Sequence, residues 1–464
     1  MTWLPIAHAL VARKDLPIPT WLFAWAASIV LIVSFFVLSA AWRKPRFEQE
    51  RWWPFGGRLS RALVALPAQA LCGAVGVSLL GVAVYCGLRG TEAPDRNFAL
   101  TFLFVTCWLG FPLFSVLLGD VFRPFNPWRA IGRSAGGAFK AVARQRARRF
   151  AYPEALGRWP AAIGLLAFVW LEVVYGANGG VAVGLSPHAA GVAALVYSGY
   201  TLAMMALFGV EEWCERGEVF SVYFGMLSQL APFGVKEGRL GRRRLFSAAG
   251  SWATVPGSAA VVIASIASTS FDGAQEGALK GAIVSTFNRL VDVGFGPSAA
   301  LRLSDTIFML VCFVGVGLVY LLGVRGMRTV RGAPTFATLR SGFAHTLIPI
   351  AFAYLVAHYF SLFVFQEQAQ FTYLLSDPLG TATTDLFGTA SAGIDFQLLG
   401  ANAIWYVQVG ALVLGHVLGL TLAHDRALAY WSDYRQATRS QYWMLAVMVT
   451  FTCFGLYLLS VANG

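Results

Sequence analysis

GHVLGLTLAHDRALAY, residues 415–430, decides how the chain is read. It sets two imidazoles, His416 and His424, on an apolar run that ends in Asp425-Arg426. The segment reads as the closing half of a membrane-spanning helix, where ionisable groups are costly and mark function by default. The run begins upstream near residue 402, and similar runs recur through the rest of the chain.

The 464-residue chain is 57% hydrophobic and 12% charged, with a mean hydropathy of +0.63. Soluble domains are about a quarter charged, so this composition belongs to a multi-pass membrane protein. Apolar runs of about 20 residues suffice to cross a hydrocarbon core of about 30 Å. Ten such helices are expected, at 21–42, 62–88, 98–118, 160–176, 188–210, 252–270, 302–324, 341–365, 402–424 and 441–461. The fold class is therefore all-α, a single transmembrane helical domain over 1–464 with no separate soluble domain. Residues 3–12 lack a leading basic region and a small-residue cleavage site, so a cleaved signal is not expected, and the first span starts at Trp21.

Basic residues test this division independently. With the N-terminus outside, 28 of the 35 Lys and Arg fall in inside loops and 7 outside. Cytoplasmic loops are Lys/Arg-rich, so the bias predicts ten spans with both termini outside. The net charge of +12 then follows from topology. The run Lys140, Arg144, Arg146, Arg148, Arg149 suits anionic inner-leaflet lipid rather than nucleic acid. Within the inside loops 119–159 and 211–251, interfacial segments are expected, with FSVYFGMLSQLAPF (220–233) lying on the membrane because it is too short to cross it. The polar, Gly-rich segments 271–300 and 366–400 are expected outside, over the mouth of the bundle. A four-residue echo, GDVF at 119–122 and GEVF at 217–220, is too short to establish a repeat.

Cys72, Cys86, Cys107, Cys214, Cys312 and Cys453 form no C-x-x-C pair, and five lie in apolar spans, so they read as small core residues. No P-loop, dinucleotide fingerprint, H-E-x-x-H or G-x-S-x-G elbow is present. Chemistry must come from polar groups in the bundle: Glu172, Asp272, Asp305, His345, His358, His416, His424 and Asp425. Glu211 and Glu212, at the inner end of the fifth span, read as a water boundary. Helical rise puts His424 near the inner edge, His345 about 7 Å deep, His416 about 12 Å and His358 about 26 Å. An inner cluster of His345, His416, His424 and Asp425 follows if the eighth and ninth spans turn those faces together. His358 belongs to an outer layer with Glu172, Asp305 and Asp272. The inner histidines could hold a divalent metal such as zinc, act as a general base, or relay protons. Trp405, Tyr406 and Gln408, with Phe360 and Phe363, would line a pocket. GDVFRPFNPWRAIGR (119–133) reads as a proline-broken turn and interfacial anchor, with anion binding by its arginines as the sharper alternative.

LVARKDLPIPTWLFAWAASIVLIVSFFVLSAAWRKP (10–45), GDVFRPFNPWR (119–129), STSFDG (268–273), AHTLIPIAFAYLVAHYFS (344–361), DLFGTA (385–390) and GHVLGLTLAHDRAL (415–428) together resemble the bacterial membrane proteins known as fenitrothion hydrolase, over nearly the whole chain. The resemblance implies an inner-membrane hydrolase of lipophilic organophosphate triesters, in which water attacks phosphorus and a nitrophenol leaves. It carries no catalytic set with it. His345, His358, His416, His424, Asp425 and Asp272 are the residues that the sequence itself offers as catalytic, with His345, His416 and His424 as metal ligands. A proton-coupled transporter or channel is the alternative, on the span count and the helix-interrupting Pro67, Pro112 and Pro349. A membrane scaffold for a metal or redox partner is a third.

Overall fold

The computed structural model describes residues 20–48, 51–143, 149–176, 184–252, 254–275 and 277–462. The stretch 1–19 and the basic residues Arg144, Arg146 and Arg148 lie outside the described residues.

Helices dominate, and each expected apolar run coincides with one. Seven among the described residues are long and apolar enough to cross a membrane. They are α2 (Leu66–Arg89), α3 (Phe98–Leu118), α5 (Glu154–Tyr175), α6 (Pro187–Phe208), α10 (Pro297–Met327), α11 (Phe336–Ser376) and α12 (Ala401–Tyr430). Three further helices occupy the other expected runs: α1 (Thr20–Ala41), α8 (Ser258–Gln275) and α13 (Tyr434–Ala462). Shorter helices are α4 (Pro127–Ala143), α7 (Val219–Ser228) and α9 (Lys280–Asp292).

The helix α8 falls short in hydropathy for a physical reason. Its sequence carries Ser265, Ser268, Thr269, Ser270 and Asp272, yet every one of them is buried. The surrounding helices, not lipid, are its solvent, so hydroxyls are tolerated there. By contrast, α2, α6 and α10 present exposed apolar faces, such as Leu71, Val196 and Leu318.

The stretch that opened the reading explains how α11 and α12 pack. A Cβ built on Gly415 would lie 2.3 Å from the Ala353 Cβ, and one on Gly419 would lie 2.8 Å from the Thr346 carbonyl oxygen. Gly415 and Gly419 are thus a small-residue pair spaced one turn apart that lets two backbones touch.

Loops sort into two sets by their contacts. At one end Arg426 pairs with Glu48 at 3.0 Å, Arg244 donates to the Arg46 carbonyl, and the Trp431 indole donates to the Arg331 carbonyl. At the other, Thr91 N–H donates to the Leu379 carbonyl and Tyr373 donates to the Asp95 carbonyl. The first set comprises segments expected inside; the second, segments expected outside.

The chain is mostly helical, as expected of an all-α bundle. A small antiparallel sheet accompanies the helices: β1 (Trp52–Pro54), β2 (Phe233–Lys236) and β3 (Arg239–Arg243), ordered β1-β3-β2. Positive φ at Glu237 and Gly238 makes the two-residue hairpin between β2 and β3. One expectation is corrected: the segment 220–233 does not lie on a surface. Tyr223, Phe224, Met226 and Leu227 of α7 are each at most 1% exposed, packed among α3, α5 and α8, with the Trp108 and Tyr223 rings stacked at 4.8 Å. A short apolar helix surrounded by protein needs no match to bilayer thickness.

Candidate functional site

The two groups of ionisable residues separate sharply in space. In the half toward the loops expected outside, here the outer half, STSFDG ends α8 with Asp272, and AHYFS in α11 supplies His358 and Tyr359; the opposite half is the inner one. His358 Nε2 lies 2.8 Å from Asp272 Oδ2, the Tyr359 hydroxyl donates to the same oxygen at 2.6 Å, and the Gln275 amide donates to Oδ1 at 3.0 Å. Asp272 is 6% exposed. The His358 and Tyr359 rings meet edge to face at 4.5 Å. Successive residues of one helix thus clasp a carboxylate from another, which fixes the imidazole plane. With the Nε2 proton held by Asp272, the His358 lone pair sits on Nδ1, on the side of Gly273, where a Cβ would stand 3.4 Å away.

More polar groups surround this pair. Glu172, on α5, lies close enough for its charge to act on both Asp272 and Tyr359. It sits in a wide π-type turn, residues 170–175, a distortion that recurs at functional sites. The Trp170 indole of that turn donates to Thr306 at 2.8 Å, tying α5 to α10 beside the buried Asp305. Two turns inward of Asp272 on α8, the Ser265 hydroxyl reaches the Tyr223 hydroxyl at 3.4 Å. Between them, the Ser268 and Ser270 hydroxyls are buried with no hydrogen-bond partner among the described residues. Polar groups therefore continue along the protein-facing side of α8 from Tyr223 to Gln275.

In the inner half the expected cluster is not assembled. His416 Nδ1 hydrogen-bonds the Leu412 carbonyl of its own helix at 2.8 Å, and its ring faces Tyr354 at 6.0 Å. His424 Nε2 turns instead to the Trp42 carbonyl at 3.0 Å. Asp425 neither orients His424 nor faces a cavity. Its carboxylate accepts the Trp42 indole N–H at 2.9 Å and the backbone N–H groups of Arg46 and Phe47 at 2.5 and 2.8 Å. It caps the chain where that chain leaves α1. His345 is 3% exposed in a tight turn at residues 344–347, before the α11 backbone straightens. One ring nitrogen on each of His345, His416 and His424 has no partner among the described residues. Among those residues, no three His, Cys, Asp or Glu side chains are gathered so as to hold a metal ion. The three histidines are therefore not brought together as a ligand set.

The pocket expected around the ninth span is also altered. Trp405 and Gln408 are buried, but Tyr406 is 54% exposed and faces outward. An open cavity of about 760 Å³ lies among the loops near Asp95, Tyr373, Asp377 and Asp385.

Glu218 has a role that the sequence reading passed over. It is fully buried and accepts from the Tyr197 hydroxyl at 2.6 Å, the Asn126 amide at 3.0 Å and the Phe220 and Ser221 N–H groups. Its only signal was the GDVF/GEVF echo, in which Asp120 likewise accepts the Arg123 N–H. Both acids cap the short helix that follows them.

No family model, curated protein or solved structure matches the chain. The fold and site define a helical bundle of membrane type in which a partly buried imidazole is paired with a buried carboxylate.

Proposed function

We propose that the chain is a ten-span membrane protein, with both termini outside, whose His358–Asp272 centre carries protons in a coupled transport cycle. The observation that carries this reading is the contact of His358 and Tyr359 with the buried Asp272 of another helix, with Glu172 of a third helix near enough for its charge to act on Asp272 and Tyr359. Chains of acid, imidazole and hydroxyl groups inside a bundle are what proton relays use. The sorting of loop contacts into two sets supports the alternation of spans on which the orientation derived from the basic residues rests. The resemblance to bacterial membrane proteins points to an inner membrane, with lipid as the surrounding partner.

In this reading His358 accepts a proton while Asp272 balances the imidazolium, and Glu172 provides a second carboxylate for the transfer. Proteoliposomes holding a pH-sensitive dye, with the membrane potential clamped by valinomycin, test it. Wild-type protein conducts protons above the level of empty vesicles, and Asp272→Asn and His358→Gln abolish the excess. Equal flux in wild type and Asp272→Asn would remove the pair from any proton path.

A second reading is favoured by one feature, the orientation of a base by a carboxylate. The same pair would suit hydrolysis of a lipophilic phosphotriester, with His358 taking the proton of a water that attacks phosphorus as a nitrophenolate leaves. Release of nitrophenol from fenitrothion or paraoxon by purified protein, lost in His358→Gln, would favour it over transport. Chelator added in a parallel arm checks the expected divalent metal.

A further inference from the structure

The motif GDVFRPFNPWRAIGR remains unused by the buried pair, at the opposite end of the bundle. Pro124 and Pro127 interrupt the helix, and the loop between is held rigid. Asn126 Oδ1 accepts the Arg129 N–H at 2.9 Å, while its amide donates to Glu218 and, at 2.8 Å, to the Ser221 hydroxyl. The Trp128 indole donates to Ser198 at 2.8 Å. This frame presents three guanidiniums to one carboxylate. Arg129, Arg133 and Arg123 lie 2.9, 2.7 and 3.3 Å from Glu211.

Glu211, Asp120 and the buried Glu218 behind Asn126 match the three guanidiniums in number, so the surplus positive charge at this face comes from a fourth cation. Glu212 is engaged by Arg216 at 2.9 Å. That fourth cation, Arg149, stands 3.1 Å from where a Cβ on Gly209 would sit, two residues before Glu211. Arg129 is buried at the base, whereas the Arg123 and Arg133 side chains stay 53% and 39% exposed. Burial by itself would raise the Glu211 carboxyl, but Arg129 and Arg133 outweigh it and hold the group below the usual carboxylate range.

We propose that Arg123, Arg129 and Arg133, preset around Glu211, form a binding site for the phosphodiester headgroup of an anionic membrane lipid. Guanidinium forks match phosphate oxygens in pairs, and a rigid loop loses little freedom on binding. The assignment to lipid rests on the membrane reading, which sets the exposed Arg123 and Arg133 of this loop at the inner face, among anionic headgroups. It does not depend on what His358 does.

The test uses the full chain, stripped of lipid in detergent and then exposed to phosphatidylcholine bicelles with or without phosphatidylglycerol. Native mass spectrometry then counts the lipid retained. Wild type is expected to retain phosphatidylglycerol and not phosphatidylcholine. The double variant Arg123→Gln/Arg133→Gln, which leaves the buried Arg129 in place, should retain about tenfold less or lower. Arg239→Gln, a basic change in the hairpin on the same face, should retain as much as wild type. Glu211→Gln removes the competing carboxylate and should retain more, counted per folded molecule. Undiminished retention in the double variant overturns the proposal. Protection of the stripped protein by millimolar inorganic phosphate, without retained phosphatidylglycerol, overturns the assignment to lipid in favour of free phosphate. Failure of the wild type to enter bicelles at all would instead overturn the membrane reading, and is scored separately.

Discussion

The outer and inner halves of the α11–α12 region use the same residue types to opposite ends. In the outer half, a histidine and an aspartate from different helices bind each other. In the inner half, the histidines bind backbone carbonyls and the aspartate binds backbone N–H groups. A lone buried imidazole bonded to one carbonyl still leaves its other ring nitrogen without a partner among the described residues, and such a bond contributes about 1 kcal/mol to stability. A side-chain pair between helices has a different meaning, because both partners are ionisable and neither is needed to close a turn. The lesson is that a costly residue points to chemistry only once its partner is known.

Several measurements would break or sharpen this contrast. The largest effect is expected from Asp272→Ala, which strands His358, the Tyr359 hydroxyl and the Gln275 amide together. It should lower stability by about 3 kcal/mol or more, and thermal unfolding in detergent reads the loss. Asp272→Asn should retain much of that stability while abolishing proton flux, and a fully active Asn variant would make the outer pair as structural as the inner one.

Asp425→Ala comes next. It leaves the Trp42 indole and two backbone donors without an acceptor, so about 2 kcal/mol of stability is expected to go, with proton flux per folded molecule unchanged. Flux that falls with Asp425→Ala at full stability would restore the inner half as a site.

Gly415→Val should follow at about 1–3 kcal/mol, because its side chain meets Ala353 and the Pro349 carbonyl at the helix crossing. A variant as stable as wild type would show that the backbones are not in contact there. His416→Leu is expected to cost about 1 kcal/mol or less and to leave flux intact.

The smallest effect is a pH dependence at the inner face. Glu211 has a folded-state pKa below its ordinary 4.5. Its contribution to stability is therefore fully present above about pH 4.5 and is lost as pH falls through the lowered value. Glu211→Gln should flatten the acid limb of the stability profile, modestly because the carboxylate is 44% exposed and screened.

Much of the architecture was legible because a helix in lipid must be apolar over its length. The expected runs 98–118 and 402–424 correspond to α3, at 98–118, and to α12, at 401–430. Legibility failed where protein replaced lipid as the solvent, which is why the apolar length of α7 misled. The sheet was missed because its strands are three to five residues long, though Glu237-Gly238 between Lys236 and Arg239 is a hairpin signal that could have been taken. Depth along the axis correctly grouped His358 with Asp272 in the outer layer, since helical rise is fixed. Facing was not readable, because whether His424 turns to His345 or to the Trp42 carbonyl depends on where α1 packs. The cap at Asp425 joins residues almost the whole chain apart, and no local pattern announces it.

The contact of Gly415 and Gly419 with the α11 backbone has a mechanical consequence. Two rods seated carbonyl against Cα cannot slide past one another without a clash at every turn, so they form a strut. Any breathing that lets the outer pair exchange with solvent is then left to the other helices, of which α3 and α5 both carry wide π-type turns.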